Sequence, residues 1–151
     1  MRDSDGMTEL SIRRAYAGDA FRISQLCRDS LGYDCTEEAV ANRLTELLHK
    51  DTECIAVAEI DGQVVGFIHA CEYHLLYQPP MLNLMGIAVD AQFRRRGIGK
   101  ALLAIVEEMA RSRRCAGIRV ISGIGRDDAH AFYRVIGYAD AGESVKFFKK
   151  L

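Results

Sequence analysis

Residues 88–109, AVDAQFRRRGIGKALLAIVEEM, place the end of an apolar strand, three consecutive arginines, a Gly-Ile-Gly and a long helical repeat side by side. Ile98, Ala101, Leu102, Ile105, Val106 and Met109 recur at the spacing of one helix face. A helix N-terminus presents backbone N–H groups with no intrahelical acceptor and a partial positive charge, and glycine lets an anion approach that backbone closely. Phosphate is the natural guest. A P-loop would need Gly at position 94 and Ser or Thr at 101, which are Arg94 and Ala101. A dinucleotide fingerprint would need a third glycine where Leu102 stands. Read alone, the arginine run is a solvated turn. Between a buried strand and an amphipathic helix it becomes a candidate anion site.

Working outward, Arg111, Arg113 and Arg114 suit the negative end of the helix dipole. Upstream, CIAVAEI and QVVGFIHACEY flank Asp61-Gly62, the two-residue turn that favours a type I′ hairpin over residues 54–73. YQPP is expected to break the chain, and MLNLMGIAV to resume a buried strand ending at Val89. Nearer the N-terminus, Leu10–Tyr16 alternates as a half-buried strand, and Asp19 is positioned to cap a helix with Ile23, Leu26 and Cys27 inward and Gly32 as its stop. A second helix opens at Thr36, with Val40, Leu44, Leu47 and Leu48 on one face. Downstream, GIRVISGI predicts a strand, DDAHAFYRVI a helix stopped by Gly137, and SVKFFKKL a last strand. The expected order is β-α-α-β-β-β-α-β-α-β in one α/β domain over residues 1–151, with residues 1–8 a loose tail.

The composition fits one soluble domain: 151 residues, 49% hydrophobic and 27% charged. A net charge of −1 gives no overall field for nucleic acid or membrane, so a basic site has to be local. Five scattered cysteines without a C-x-x-C argue against a disulfide framework or zinc and for a reducing, cytoplasmic setting. His69 and His74, five apart on a strand, are expected to face opposite ways, and no metal site is expected.

Arg94-Arg95-Arg96-Gly97-Ile98-Gly99 resembles the [QR]-x-x-G-x-[GA] acyl-CoA pyrophosphate loop of the GNAT superfamily of N-acetyltransferases. AHAFYRVIGY resembles that family's A-x-x-F-Y-x-x-x-G-[FY] block, and the two blocks stand in the family's order. The resemblance implies a GNAT-like α/β fold: a mixed central β-sheet with helices on both faces and strands splayed at the acyl-CoA site. It implies acetyl-CoA as co-substrate. The diphosphate would be cradled by the amides of Arg95, Gly97, Ile98, Gly99 and Lys100, with Arg94, Arg95 and Arg96 adding charge. Ile87, Ala88 and Val89 would pair with the pantetheine arm, and the Val89 amide is a candidate to polarise the thioester carbonyl.

Tyr133 matches the tyrosine that protonates the departing thiolate in many members; its other reading is a helix aromatic against the core. Arg126 stands where the family often has an Asn that contacts the cofactor, and Ala91 replaces a frequent Pro. Asn83 and Gly86 occupy the strand where some members carry a Glu base, so the motif assigns none. Glu72 is the candidate base, beside His74, with an exposed rim as the other reading for both; Tyr33 and Asp34 occupy an acceptor-shaping loop on the same terms. No cysteine has a base beside it in sequence, which favours direct attack in a ternary complex over a cysteine-bound intermediate.

The resemblance therefore implies an acyl-CoA-dependent N-acetyltransferase acting on a primary amine, by family analogy a small molecule, with a homodimer as the expected assembly. The alternative is a catalytically silent acyl-CoA-binding sensor or interaction module. Nucleic-acid binding through Arg94–Arg96 and Arg111–Arg114 is disfavoured by the near-neutral charge.

Overall fold

The computed structural model describes residues 9–151, so the tail expected over residues 1–8 lies outside the described residues. The chain divides into two units, one ending at Val120 and one spanning Ile121–Leu151.

The first unit is built on a five-stranded sheet in the order β1-β2-β3-β4-β5. Its strands are β1 (Leu10–Arg14), β2 (Glu53–Ile60), β3 (Gln63–Leu75), β4 (Gln78–Val89) and β5 (Ile118–Val120). β1 to β4 pair antiparallel, and β5 joins β4 in parallel. The hairpin between β2 and β3 turns at Asp61 (φ 51°) and Gly62 (φ 74°), both left-handed as a type I′ turn requires. Helices α1 (Ala20–Leu26) and α2 (Glu37–Leu47) contribute Ala20, Ile23, Leu26, Val40 and Leu44 to one core with Ile55, Val57, Phe67 and Ala88 of the sheet. Gly32 ends the first helical stretch at φ 74°, and Thr36 caps α2 by accepting the Ala39 N–H at 3.1 Å.

Helix α3 (Ile98–Ser112) covers the other face. Gly66 makes this possible: a Cβ there would come within 3.1 Å of the Ala88 carbonyl and 3.3 Å of Leu102. The second unit contains α4 (Asp127–Val135), ended by Gly137 at φ 98°.

Five expectations are corrected. Asp19 occupies the cap position of α1, but its carboxylate is buried and takes two bonds from Arg13, at 2.8 and 2.9 Å, and one from the Tyr16 N–H. A charge-assisted bidentate pair outweighs a cap bond at that site. Pro79 and Pro80 lie inside β4 rather than before it; they sit opposite the irregular register at Tyr73/Leu75 and beyond the stretch paired with β5, where no N–H is demanded. The buried stripe of α3 is Ile98, Leu102, Leu103, Val106 and Ala110, with Ile105 exposed, because packing on the sheet rotated the face by about one residue. β5 is three residues long, not the eight of GIRVISGI. SVKFFKKL forms no strand, and Val145, Phe147, Phe148 and Leu151 are exposed. Strand propensity needs a ladder and a surface to pack on, and the described residues of that unit contain no strand to pair with.

Candidate active site

β4 carries the geometry that matters. Its pairing with β5 covers Leu82 to Leu84 and ends at Leu84–Val120. Immediately beyond, the register with β3 shifts: His69 opposes Gly86 and Ala70 opposes Leu84, which leaves Met85 as the extra residue of a bulge. A bulge bends its strand and increases twist, turning β4 where β5 leaves it. Ile87, Ala88 and Val89 still pair with Ile68, Phe67 and Gly66, so from Met85 onward β4 has a ladder on one side only among the described residues. In an antiparallel pair every second residue directs its N–H and C=O away from the partner, and here no strand among the described residues pairs with that edge.

After Val89 the chain is pinned at Asp90. Its N–H donates to Val65 O at 2.8 Å, and its carboxylate accepts from the Gln92 N–H at 2.9 Å and from Arg22 at 3.0 Å. The Gln92 amide, with Arg22 behind it, holds the Asp90 carboxyl below the usual carboxylate range. A short helical turn at Ala91–Phe93 leads into Arg94, extended, then Arg95 at φ 64° and Gly97 at φ 76°. These two left-handed residues curl the backbone onto the start of α3. The first intrahelical bond is Ala101 N–H to Gly97 O at 3.0 Å, so the amides of Ile98, Gly99 and Lys100 precede any intrahelical acceptor. Arg94, Arg95, Arg96 and Lys100 are exposed, and no ion pair among the described residues involves Arg95, Arg96 or Lys100. Arg96 lies over the Phe93 ring at 5.1 Å.

Glu72 is placed elsewhere. It pairs with Leu82, seven residues before Val89 on the partner strand, roughly 20 Å along the sheet from the arginine loop. Its carboxylate is bound by His74 at 3.0 Å and by Arg113 at the end of α3. His74 and then Arg113 hold its carboxyl below the usual range. Asn83 accepts from Arg119 at 2.8 Å, and the Arg119 guanidinium lies 4.7 Å over the Tyr73 ring. Tyr33 and Asp34 are exposed between the helices. Burial pushes the thiols of Cys27, to about 11, and of Cys54 and Cys71 upward, the opposite of what a nucleophilic cysteine needs.

Sequence reading weighed His69 only as a metal ligand and missed Glu53. Both project from the α1–α2 face of the sheet beside the bulge, with His69 Nε2 3.6 Å from Glu53 Oε1. The Asp61-Gly62 turn alone would pair His69 with Cys54; the register shift at Ala58/Glu59 instead sets Ile55 opposite His69 and Glu53 opposite Cys71, which puts both side chains on one face, and no local signal announces that bulge.

In the second unit, Arg126 precedes α4, and its carbonyl accepts the His130 N–H at 3.0 Å. Tyr133 is half-buried, its ring 5.5 Å from that of Phe132 and 5.8 Å from that of Tyr138. Burial pushes its phenol above the ordinary value, with Arg126 pulling the other way.

Residues 20–138 match the family model described as Acetyltransferase (GNAT) family. N-acetyltransferase family 8 member 3 of Mus musculus is 29% identical over 112 residues, 74% of this chain and 50% of the relative. N-acetyltransferase 8 of the same species is 34% identical over 92 residues, 58% of this chain and 39% of the relative. The chain thus spans about half the length of the curated relatives it matches. Among solved structures, the aminoglycoside N-acetyltransferase AAC(6')-Iy in complex with CoA superposes with a TM-score of 0.81 at 22% identity, covering 95% of each chain. A transcriptional regulator from Bacillus halodurans C-125 superposes at 0.83 with 23% identity, covering 93% of this chain and 100% of its own. At these identities the likeness is one of fold.

Proposed function

The chain belongs to the GNAT acetyltransferase family, and from that premise we propose that it transfers an acetyl group from acetyl-CoA to the primary amine of a small molecule, by direct attack in a ternary complex. The observation that carries this reading is the join in β4: an edge open from Met85 to Val89 runs straight into a left-handed, cationic loop and the start of α3. The amides of Arg95, Gly97, Ile98, Gly99 and Lys100 serve as donors to a diphosphate, and Arg94, Arg95 and Arg96 offset its charge. Ile87, Ala88 and Val89 offer main-chain groups to an extended amide-bearing arm, which completes the edge as a strand would. An amide at that edge, Val89 being the candidate, polarises the thioester carbonyl.

Tyr133 is assigned the acid by its place in the A-x-x-F-Y block. A phenol kept above its ordinary pKa is fully protonated at neutral pH and available to donate to the thiolate. Arg126 is assigned a contact with the cofactor on the same grounds. The AAC(6')-Iy structure with a CoA–acetylneamine bisubstrate analogue supports an amine acceptor for this fold. A homodimer and a cytoplasmic setting complete the proposal, the latter supported by five unpaired cysteines.

Calorimetry with CoA and free-thiol release from acetyl-CoA across a panel of amines test the proposal. Tyr133→Phe should retain CoA affinity while turnover falls by about 10²-fold or more. Turnover unchanged in that variant removes Tyr133 from the chemistry. An unmutated protein that binds CoA yet acetylates no amine is instead an acyl-CoA sensor.

A further inference from the structure

Acetyl transfer to an amine needs a proton acceptor, because the amine reaches the site mainly as an ammonium. Glu72 does not meet that need: His74 and Arg113 occupy its carboxylate, and it sits far along the sheet from the open edge of β4. Asn83 has no basic atom at neutral pH. The two faces of the sheet differ in what they admit. On the α3 face, Ile98, Leu102, Leu103 and Val106 are at most 2% exposed, so that face is closed. On the α1–α2 face the residue beside the bulge is Gly86, which carries no side chain toward that face, and Phe67 and Leu31 stand 3.9 and 4.0 Å from where a Cβ would be. An amine approaching an acyl group on the β4 edge therefore arrives from the α1–α2 face, beside Gly86.

His69 is the cross-strand partner of Gly86 on that face. Its side chain is 21% exposed and that of Glu53 is 12% exposed. Their facing atoms are 3.6 Å apart, and His69 Nε2 and Glu53 Oε2 are both buried with no hydrogen-bond partner among the described residues. Two such buried polar groups give up solvation, on the order of 1–3 kcal/mol each, for no more than a long ion pair. That is the signature of groups retained for chemistry.

We propose that His69, oriented by Glu53, accepts the proton from the amine in this chain; the assignment rests on the acetyl-transfer reading above. With Nε2 turned to the Glu53 carboxylate, Nδ1 is the nitrogen left to act as base. From the His69 backbone to a ligand arm lying along the far edge of β4 is two interstrand spacings, about 10 Å, which an imidazole, one ordered water and the amine nitrogen span. His69 takes one proton from the ammonium and releases it to solvent. The freed nitrogen lone pair forms the C–N bond, and the C–S bond breaks with its electrons on sulfur. Sulfur takes the Tyr133 proton, which the second amine proton replaces. Glu53 is a positioning residue.

Among the described residues the charged group facing His69 is Glu53 on β2; Cys71, two residues on along β3, lies opposite Glu53, Arg119 on β5 is held by Asn83 and Tyr73, and above Gly86 the residue is the apolar Leu31. Burial pushes the imidazole below its ordinary value, which favours the neutral form that accepts a proton, while Glu53 pulls the other way.

The test uses the full chain, acetyl-CoA and a panel of neamine, phenethylamine and hydroxylamine, the last already uncharged at neutral pH. With the better alkylamine, His69→Gln should lose about 100-fold or more in kcat while the calorimetric Kd for CoA is unchanged. With hydroxylamine its loss should be far smaller, since no proton has to be removed before attack. Glu53→Gln should fold, retain part of the rate and move the acid limb of kcat/KM to lower pH, because the carboxylate that raises the His69 pKa is gone. The proposal is overturned if His69→Gln keeps its alkylamine rate, if it loses equally with hydroxylamine, or if Glu53→Gln leaves the acid limb in place. A wild-type chain that acetylates none of the panel sinks the acetyl-transfer reading first, and the base assignment with it.

Discussion

Gly97 and Asp90 bracket the loop, and each holds it by a different force. Gly97 sits at φ 76° with open space around its α-carbon, so a methyl group there meets no neighbour and its cost is purely conformational. Gly97→Ala should lower the unfolding free energy by about 1–2 kcal/mol in urea titration and weaken CoA binding in calorimetry, because the backbone drifts out of the left-handed region. Asp90 acts by charge. Its folded pKa lies below the unfolded value, near 3.9, so its contribution is complete above that pH and is lost as pH falls through the folded value. Asp90→Asn should therefore flatten the fall of stability below pH 4, read from denaturant midpoints at successive pH values.

Helix α3 shows why a periodic pattern locates an element better than it locates a face. The apolar repeat includes Ile105 in the inner stripe, yet Ile105 is 37% exposed, while Leu103, outside that repeat, is buried. Leu102→Ala should cost about 2–5 kcal/mol by opening a cavity against the sheet at Gly66. Ile105→Ala should stay within about 0.5 kcal/mol of wild type, as a surface change does. Equal losses in the two variants, measured by chemical denaturation, would contradict the packing described. β4 makes the same point for strands: YQPP reads as a breaker, but its prolines are accommodated opposite a register irregularity that no local signal announces.

At the scale of the molecule, a ligand that binds only the folded chain stabilises it by mass action. CoA at about 100 times its Kd should add about 2.7 kcal/mol. For a chain of this length that corresponds to a rise in Tm of about 5–10 °C, checked by a thermal melt with and without CoA. Arg95→Ala with Arg96→Ala should reduce the shift, and raised salt should reduce it in the unmutated protein more than in the double variant.

What the sequence by itself determined was whatever short-range sterics and residue type dictate: the Asp61-Gly62 turn, the Thr36 cap, the Gly32 and Gly137 stops, and the arginine–glycine entrance to α3. Each follows from φ preferences or from a hydrogen bond spanning three or four residues, so it is written locally. The tertiary structure alone decided where β5 leaves β4, that Met85 is a bulge, which stripe of α3 is buried, that SVKFFKKL stays unpaired, and that Glu53 meets His69. These depend on antiparallel register and on competition for buried surface between residues distant in the chain. A one-residue slip in register would send the same side chains to opposite faces.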